Sequence, residues 1–111
     1  MAEPTIDAAT YAELESAAGA EFVAELVGTF LEEAPRMLAE LAEARSAGAA
    51  DRFRRAAHSL KSNGNTFGAL RLGMLARELE LGGLPADGGA LQALEDEYRR
   101  VAAALERIRH G

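Results

Sequence analysis

One histidine in the body of the chain, His58, lies in a short segment whose residue types could carry phosphoryl chemistry. The segment from Ala57 to Gly68 reads AHSLKSNGNTFG, with Lys61 three residues after the imidazole. An exposed imidazole is largely neutral near pH 7, so one ring nitrogen keeps a free lone pair and is a competent nucleophile. A lysine one helical turn away supplies positive charge and donors for phosphoryl oxygens.

The histidine segment has the periodicity of a helix with one buried face. Apolar or small residues recur at helical spacing at Phe53, Ala56, Ala57, Leu60 and Gly64. At about 100° per residue, His58 falls roughly 140° from the centre of this stripe and points out of the core. On the side of His58 we expect Lys61 to stabilise a phosphoryl group, and we expect a partner surface formed by Arg54, Ser62 and Asn65.

Two other uses of this histidine are not favoured. His58 has no histidine or carboxylate three or four residues away, and the chain has no cysteine, so we predict no metal site. No carboxylate in the sequence is placed to orient the ring as a base, so a hydrolase site is not predicted. No glycine-rich ATP loop or kinase signature is present, so we expect no intrinsic cofactor and no enzyme with its own ATP site.

The composition predicts a single all-α domain over residues 1–111. Ala, Leu, Glu and Arg dominate and Trp is absent, a usage that favours helices. One core can be formed by a chain of this length. The sequence has no signal peptide and no apolar run long enough to span a membrane, so we expect a cytoplasmic protein that does not bind membranes.

The charge is unevenly distributed along the chain. The net charge of −6 argues against nucleic acid as a partner. Residues 51–81 nevertheless carry a net charge of +3, against −9 for the remainder. Either this basic part attracts an acidic phosphorylated pocket, or it is the solvated face of arginine-rich helices.

Two helices are predicted before the histidine segment. Thr10 and Glu13 fit a capping box for a short first helix that ends at Gly19. A long second helix runs from Ala20 to about Ser46. It contains Pro35, for which a kink is favoured over a division into two helices.

The end of the histidine helix and the helix after it are less sharply defined by the sequence. The run 63–66 reads as a turn, with Gly64 in a left-handed position and Thr66 capping a helix from Phe67 to about Leu81. Gly68 is expected where two helices approach closely. A second apolar face of that helix, formed by Leu70, Met74 and Leu81, either packs under the first helix or extends a docking patch beside His58, for which Leu70 and Met74 are the candidate residues.

The last helix has the clearest period. It follows a loop over residues 82–89, in which Asp87 is a candidate cap. Apolar residues then recur three or four positions apart and form the seam that faces the bundle: Leu91, Leu94, Tyr98, Val101, Leu105 and Ile108. Its charged face, which includes Glu97, is expected to be solvated, and His110 is expected to be inert. Together these helices predict an antiparallel up-down four-helix bundle with a short additional N-terminal helix.

The chain resembles a histidine-containing phosphotransfer (HPt) domain of bacterial two-component phosphorelays. The usual signature is Ala-His-x-Leu-Lys-Gly followed by a glycine six residues after its own glycine. Ala57, His58, Leu60, Lys61 and Gly68 match it. Ser62 replaces the commoner glycine, which we expect to alter local packing or phosphoryl hydrogen bonding without removing activity. The likeness would also carry the histidine helix slightly past Gly64.

The resemblance implies a phosphoryl carrier in which His58 is modified through Nε2. Its implied partners are receiver domains of response regulators or hybrid histidine kinases, which would bring Mg²⁺, and a monomer is expected. Two rivals stay open: the phosphoacceptor domain of a chemotaxis-type histidine kinase, with ATP on a separate catalytic domain, and a helical bundle that binds receivers without transfer.

Overall fold

A computed structural model describes residues 4–110, and residues 1–3 and 111 lie outside it. Within 4–110 the chain is helical throughout, with α1 (Ala8–Ala18), α2 (Ala20–Ala47), α3 (Ala50–Thr66), α4 (Leu70–Gly82) and α5 (Gly89–His110). Short connections place successive helices side by side, α5 closes the bundle against α2, and α1 packs on α2 and α3. The predicted fold class is confirmed. None of these helices is long and apolar enough to cross a membrane.

The core lies where the four long helices meet. The largest fully buried side chains come from every one of them: Val23, Val27, Leu41, Phe53, Leu60, Leu72, Leu94, Val101 and Leu105. Burying each such side chain contributes about 1.5–3 kcal/mol. The α5 seam ends at Leu105, because Ile108 is 42% exposed. The prediction that the seam continues to Ile108 is therefore wrong.

Glu97 is buried, contrary to the expectation of a solvated α5 face. It lies between Leu94 and Val101 on the buried side of the helix, and its side chain is only 3% exposed. Its Oε1 accepts a 2.9 Å hydrogen bond from Arg100 Nε and lies 3.6 Å from Arg71 Nε. A buried carboxylate is tolerated when nearby cations compensate its charge. Here one of the two cations comes from α4, which the α5 sequence alone could not indicate.

Asp7, rather than Thr10, caps α1. Its Oδ2 accepts hydrogen bonds from the Thr10 amide at 3.0 Å and from the Thr10 hydroxyl at 2.5 Å. Both hydrogen bonds lower the pKa of Asp7, and the one from the Thr10 hydroxyl has the larger effect. The predicted capping box of Thr10 with Glu13 is wrong because the helix already begins at Ala8. The predicted end at Gly19 is confirmed.

α2 continues as one helix through Pro35, as predicted, and ends at Gly48, whose φ is 66°. Arg45 near its end donates hydrogen bonds to the carbonyls of Pro85 at 3.1 Å and Ala86 at 3.0 Å. These bonds fix the loop between α4 and α5 against α2. In the same loop, the Asp87 carboxylate accepts a 2.8 Å hydrogen bond from the amide of Gly89, the first residue of α5.

The turn between α3 and α4 lies later than predicted. α3 continues to Thr66, whose hydroxyl donates to the Ser62 carbonyl within the helix, and α4 begins at Leu70. Gly64 is therefore a buried helical residue, and the predicted turn at 63–66 and helix start at Phe67 are wrong. Burial of Gly64 against Leu72 of α4 explains why the helix does not stop at its glycine.

Gly68 is the residue in this turn that needs a left-handed conformation, with a φ of 84°. Its carbonyl accepts a 2.8 Å hydrogen bond from the Asp7 amide. A Cβ at Gly68 would lie only 2.8 Å from the Asp7 carbonyl oxygen. Gly68 thus occupies a close approach, as expected, and its neighbours are the Asp7 backbone that precedes α1 and Thr10 in the first turn of α1.

Candidate functional site

His58 lies on the exposed face of α3, and 56% of its side chain is accessible. The buried residues of α3 are Phe53, Ala56, Ala57, Leu60 and Gly64, the five residues of the predicted stripe. The helical period therefore turns the imidazole outward, as predicted. Within residues 4–110 its Nε2 atom has no hydrogen-bond partner, so this nitrogen is available to another molecule.

A carboxylate from α4 holds the other ring nitrogen. Glu80 Oε2 lies 2.6 Å from His58 Nδ1, and Glu80 Oε1 lies 2.7 Å from Lys61 Nζ. The Glu80 side chain is only 12% exposed. The expectation that no carboxylate orients His58 is therefore wrong. Glu80 was missed because it is 22 residues away in sequence and reaches the ring only through helix packing.

The antiparallel register of α3 and α4 brings these groups together. At one end of the contact Glu80 meets His58, and at the other Gly73 lies under the Asn65 side chain, where a Cβ would overlap it. A glycine at this position lets the two helices approach. One sequence signal could have indicated that Glu80 faces α3. Gly73, a small residue, lies seven positions earlier and therefore two turns away on the same face of α4.

The contacts of the carboxylate at the centre of this cluster favour its ionised form. The contact with Lys61 has the largest effect in lowering the pKa of Glu80, and the contact with His58 lowers it further. The Lys61 contact is short but does not have the alignment of a good hydrogen bond, so we treat it as an ion pair. An ionised carboxylate between an imidazole and an ammonium group is electrically balanced, which makes its low exposure tolerable.

The pair of His58 and Glu80 does not extend into a metal site. Among residues 4–110, no three His, Cys, Asp or Glu side chains are grouped to hold a metal ion. The third charged group beside His58 and Glu80 is the ammonium group of Lys61, and its positive charge repels a metal cation. These side chains are better suited to an anionic group beside the ring.

The predicted partner residues of α3 share its solvent-exposed side. Arg54, Ser62 and Asn65 are all exposed. Arg54 lies 3.8 Å from Asp51, one turn earlier. Because α3 is a regular helix, these residues lie on the same side as His58, where a partner that reaches the imidazole would meet them.

The predicted partner residues of α4 are exposed but lie at some distance from the histidine. Leu70 is 50% exposed and Met74 is 48% exposed. The alternative that this face packs under α1 is therefore wrong. With a rise of 1.5 Å per residue, Met74 lies about 9 Å along the helix axis from Glu80, and Leu70 about 15 Å. The exposed apolar residue adjacent to Glu80 in the chain is Leu81, which is 67% exposed.

An open groove of about 450 Å³ runs between α2 and α3 on the other side of the histidine. Met37 and Ala56 line it together with Ser59, the neighbour of His58, and the arginines Arg36 and Arg55 flank it. Neither arginine forms an ion pair with any side chain in 4–110. Sequence reasoning missed the α2 residues, because only the packed structure shows which face of α2 adjoins the histidine.

An all-helical bundle that presents one oriented, exposed imidazole is the arrangement expected of a histidine phosphotransfer domain. The chain matches the Hpt domain family over residues 25–104 and belongs to that family. The fold is similar to the crystal structure of histidine-containing phosphotransfer protein B (HptB) from Pseudomonas aeruginosa PAO1, with a TM-score of 0.89 and 26% identity, over 98% of this chain and 97% of that chain. No curated protein matches the chain.

These findings confirm the resemblance and the function that it implies, which is histidine phosphotransfer in a phosphorelay. The similarity to HptB covers nearly the full length of both chains, so it includes α1 as well as the four-helix bundle. Proteins of this family are phosphoryl carriers.

Proposed function

We propose that His58 is the phosphoacceptor, that it receives a phosphoryl group from the aspartate of a receiver domain, and that it passes this group to a second receiver. The observation that carries the proposal is the state of the imidazole: 56% of the His58 side chain is exposed, Nδ1 lies 2.6 Å from Glu80 Oε2, and Nε2 has no hydrogen-bond partner within residues 4–110. The protein is further proposed to act as a monomer.

In the transfer step, the Nε2 lone pair of His58 attacks the phosphorus of the receiver's aspartyl phosphate. The N–P bond forms, the O–P bond to the aspartate breaks, and the carboxylate leaves in line with the attack. The receiver supplies Mg²⁺ and most of the stabilisation of the transition state. Lys61 lies one turn from the histidine and supplies a positive charge for the phosphoryl oxygens.

The receiver docks across the exposed side of α3, where it can reach His58. The groove between α2 and α3 adds the apolar Met37 and Ala56 and the guanidinium groups of Arg36 and Arg55, which pair with no side chain in 4–110, and Glu33 and Glu40 also line it. The two unpaired positive charges suit a partner helix that carries acidic residues near its phosphorylated pocket. Arg54, Ser62 and Asn65 contact the same partner in this arrangement, with Leu70 and Met74 at its edge.

The test is transfer of label from purified phosphorylated receiver domains to the wild-type protein and to His58→Gln. We expect acid-labile, alkali-stable label on the wild type and none on the variant. Because His58 is exposed, the variant should keep the stability of the wild type, which circular dichroism and thermal unfolding can check.

Three other results would contradict the proposal. Label on His58→Gln at the wild-type level would place the phosphoryl group elsewhere. Labelling by an ATP-bound kinase domain but by no receiver would favour the chemotaxis-type phosphoacceptor. Tight receiver binding without any transfer would indicate a binding bundle.

A further inference from the structure

Ser62 is an exposed residue of α3, and its hydroxyl group makes no hydrogen bond within residues 4–110. Its polar neighbours in the helix behave differently. The Asn63 amide donates a 2.8 Å hydrogen bond to the Ser59 carbonyl, and the Thr66 hydroxyl donates one of 2.9 Å to the Ser62 carbonyl. A helical serine often bonds in the same way to the carbonyl four residues earlier. Because Ser62 does not, its hydroxyl is available to another group.

The helical period places Ser62 beside the imidazole of His58. Ser62 follows His58 by four residues, and the Cβ atoms of such a pair lie about 5–6 Å apart. Helical side chains lean toward the N-terminus, which brings the serine hydroxyl back toward the ring. At about 100° per residue, Ser62 lies about 40° to one side of His58 and Lys61 about 60° to the other. The serine and the lysine therefore flank the imidazole.

The two flanking groups offer different contacts to a phosphoryl group. Lys61 lies on the α4 side of the ring, where its ammonium group is 2.7 Å from the Glu80 carboxylate. Ser62 lies on the α2 side, toward the open groove that its neighbour Ser59 lines. A serine hydroxyl rotates to suit its acceptor, and phosphoryl oxygens are strong acceptors. A phosphoryl group on Nε2 thus meets a cation on one side and an uncommitted donor on the other.

We propose that the Ser62 hydroxyl donates a hydrogen bond to the phosphoryl group carried on Nε2 of His58, on the side of the ring opposite Lys61. This proposal rests on the proposed function, because it concerns the same phosphoryl group. It adds a neutral donor to the site and makes Ser62 a catalytic residue of the transfer.

The hydroxyl acts without exchanging a proton. Nε2 gives its electron pair to phosphorus, the leaving group takes the electron pair of the bond that breaks, and Ser62 keeps its O–H. The negative charge of the phosphoryl oxygens makes this hydrogen bond stronger than one between neutral groups. Since the hydroxyl has no partner in the described residues beforehand, no internal hydrogen bond has to break when the phosphoryl group arrives.

The test uses phosphoramidate, a small donor that needs no receiver, and the full chain with four different residues at position 62. Wild type and Ser62→Thr carry a hydroxyl, whereas Ser62→Ala and Ser62→Gly do not. We expect the alanine and glycine variants to be phosphorylated at His58 about 2- to 10-fold more slowly than wild type, the effect of one lost hydrogen bond. Ser62→Thr should react at close to the wild-type rate, because it keeps the donor.

Phosphorus NMR of the product reports the contact directly. The phosphohistidine resonance should move in Ser62→Ala and in Ser62→Gly, and it should keep its wild-type position in Ser62→Thr. Ser46→Ala is the matched control, because it removes the hydroxyl of an exposed serine in the last turn of α2. It should match the wild type in rate and in resonance. Circular dichroism checks that each variant is folded.

Two results would overturn the role of Ser62. One is a wild-type rate and resonance in folded Ser62→Ala and Ser62→Gly. The other is a rate that rises from threonine through serine and alanine to glycine, because side-chain size and not the hydroxyl would then control access to His58. If phosphoramidate labels His58 in a Ser62-dependent way but no receiver labels it, the role of Ser62 stands and the proposed function fails. Wild-type protein that is labelled by neither donor would overturn both.

Discussion

The ammonium group of Lys61 lies 2.7 Å from the Glu80 carboxylate, so its charge is already paired before any phosphoryl group arrives. The lysine side chain is 23% exposed and therefore partly shielded from water. Charge pairs at such positions are stronger than pairs on the open surface. Lys61 is thus held beside the imidazole by its ion pair with Glu80.

Lys61→Ala is expected to slow phosphotransfer to His58 without preventing it. Loss of one charged hydrogen bond to the phosphoryl group corresponds to about 1.5–3 kcal/mol, or a rate about 10- to 100-fold lower. Single-turnover transfer from a phosphorylated receiver measures this. Arg107→Ala, which removes an exposed cation from α5, should transfer at the wild-type rate. A wild-type rate for Lys61→Ala would show that the lysine takes no part.

Charge reversal in the groove should weaken receiver binding. Arg55 flanks the groove between α2 and α3 without an ion-pair partner in 4–110, so Arg55→Glu places a like charge against an acidic partner. We expect the Kd for the receiver to rise about tenfold at low salt and the difference from wild type to shrink as salt is added. Arg107→Glu makes the same change of charge on α5 and should have little effect. Equal weakening by both variants would mean that net charge, and not the groove, governs binding.

The α3 face could be predicted from sequence because it depends on one helix alone. The spacing from Phe53 to Gly64 fixes which side is buried, and His58 follows from it. Glu80 and Glu97 could not be assigned in the same way. Each owes its environment to a neighbouring helix, so its role depends on a packing register that a helical period does not contain.

The turn after α3 shows a second limit of the sequence. Gly64 and Gly68 could each end α3, and rules for helix ends that use the local sequence alone favour Gly64. The structure uses Gly68, because Gly64 is buried within α3 against Leu72 of α4 and because the Asp7 amide bonds to the Gly68 carbonyl at 2.8 Å. The choice between the glycines is made by tertiary contacts.

These two glycines should respond in opposite ways to substitution by alanine. Gly68→Ala should lower the free energy of unfolding by at least about 1–2 kcal/mol, because φ is 84° and the new Cβ would lie 2.8 Å from the Asp7 carbonyl oxygen. Gly64→Ala should leave stability unchanged or raise it by up to about 1 kcal/mol, since the Cβ makes an ordinary 3.4 Å contact in a regular helix. Urea unfolding measures both. Equal destabilisation of the two variants would contradict the assignment of the turn to Gly68 and of Gly64 to the interior of α3.

The cap of α1 should make stability depend on pH in the acid range. The hydrogen bonds from Thr10 lower the pKa of Asp7 below its ordinary value of 3.8. Such a group stabilises the fold above its unfolded-state pKa, and the contribution is lost as the pH falls through the folded-state pKa. Asp7→Ala should therefore lower Tm near neutral pH, and its difference from wild type should shrink below about pH 3.8.

Glu13→Ala distinguishes this cap from the capping box that the sequence suggested. Glu13 is exposed and accepts no hydrogen bond at the start of α1 in the described residues, so its removal should leave Tm close to that of the wild type. A larger loss of Tm from Glu13→Ala than from Asp7→Ala would restore the capping box and contradict the observed helix start.

The most direct test of the central claim is a relay with two receiver domains. A first receiver, carrying labelled phosphate, is mixed with this protein and a second, unlabelled receiver, and the label on each protein is followed with time. We predict that wild-type protein becomes labelled transiently and that the second receiver then gains the label, whereas His58→Gln passes none. Label reaching the second receiver equally fast with His58→Gln, or remaining on the first receiver with wild type, would contradict the account of His58 as the carrier.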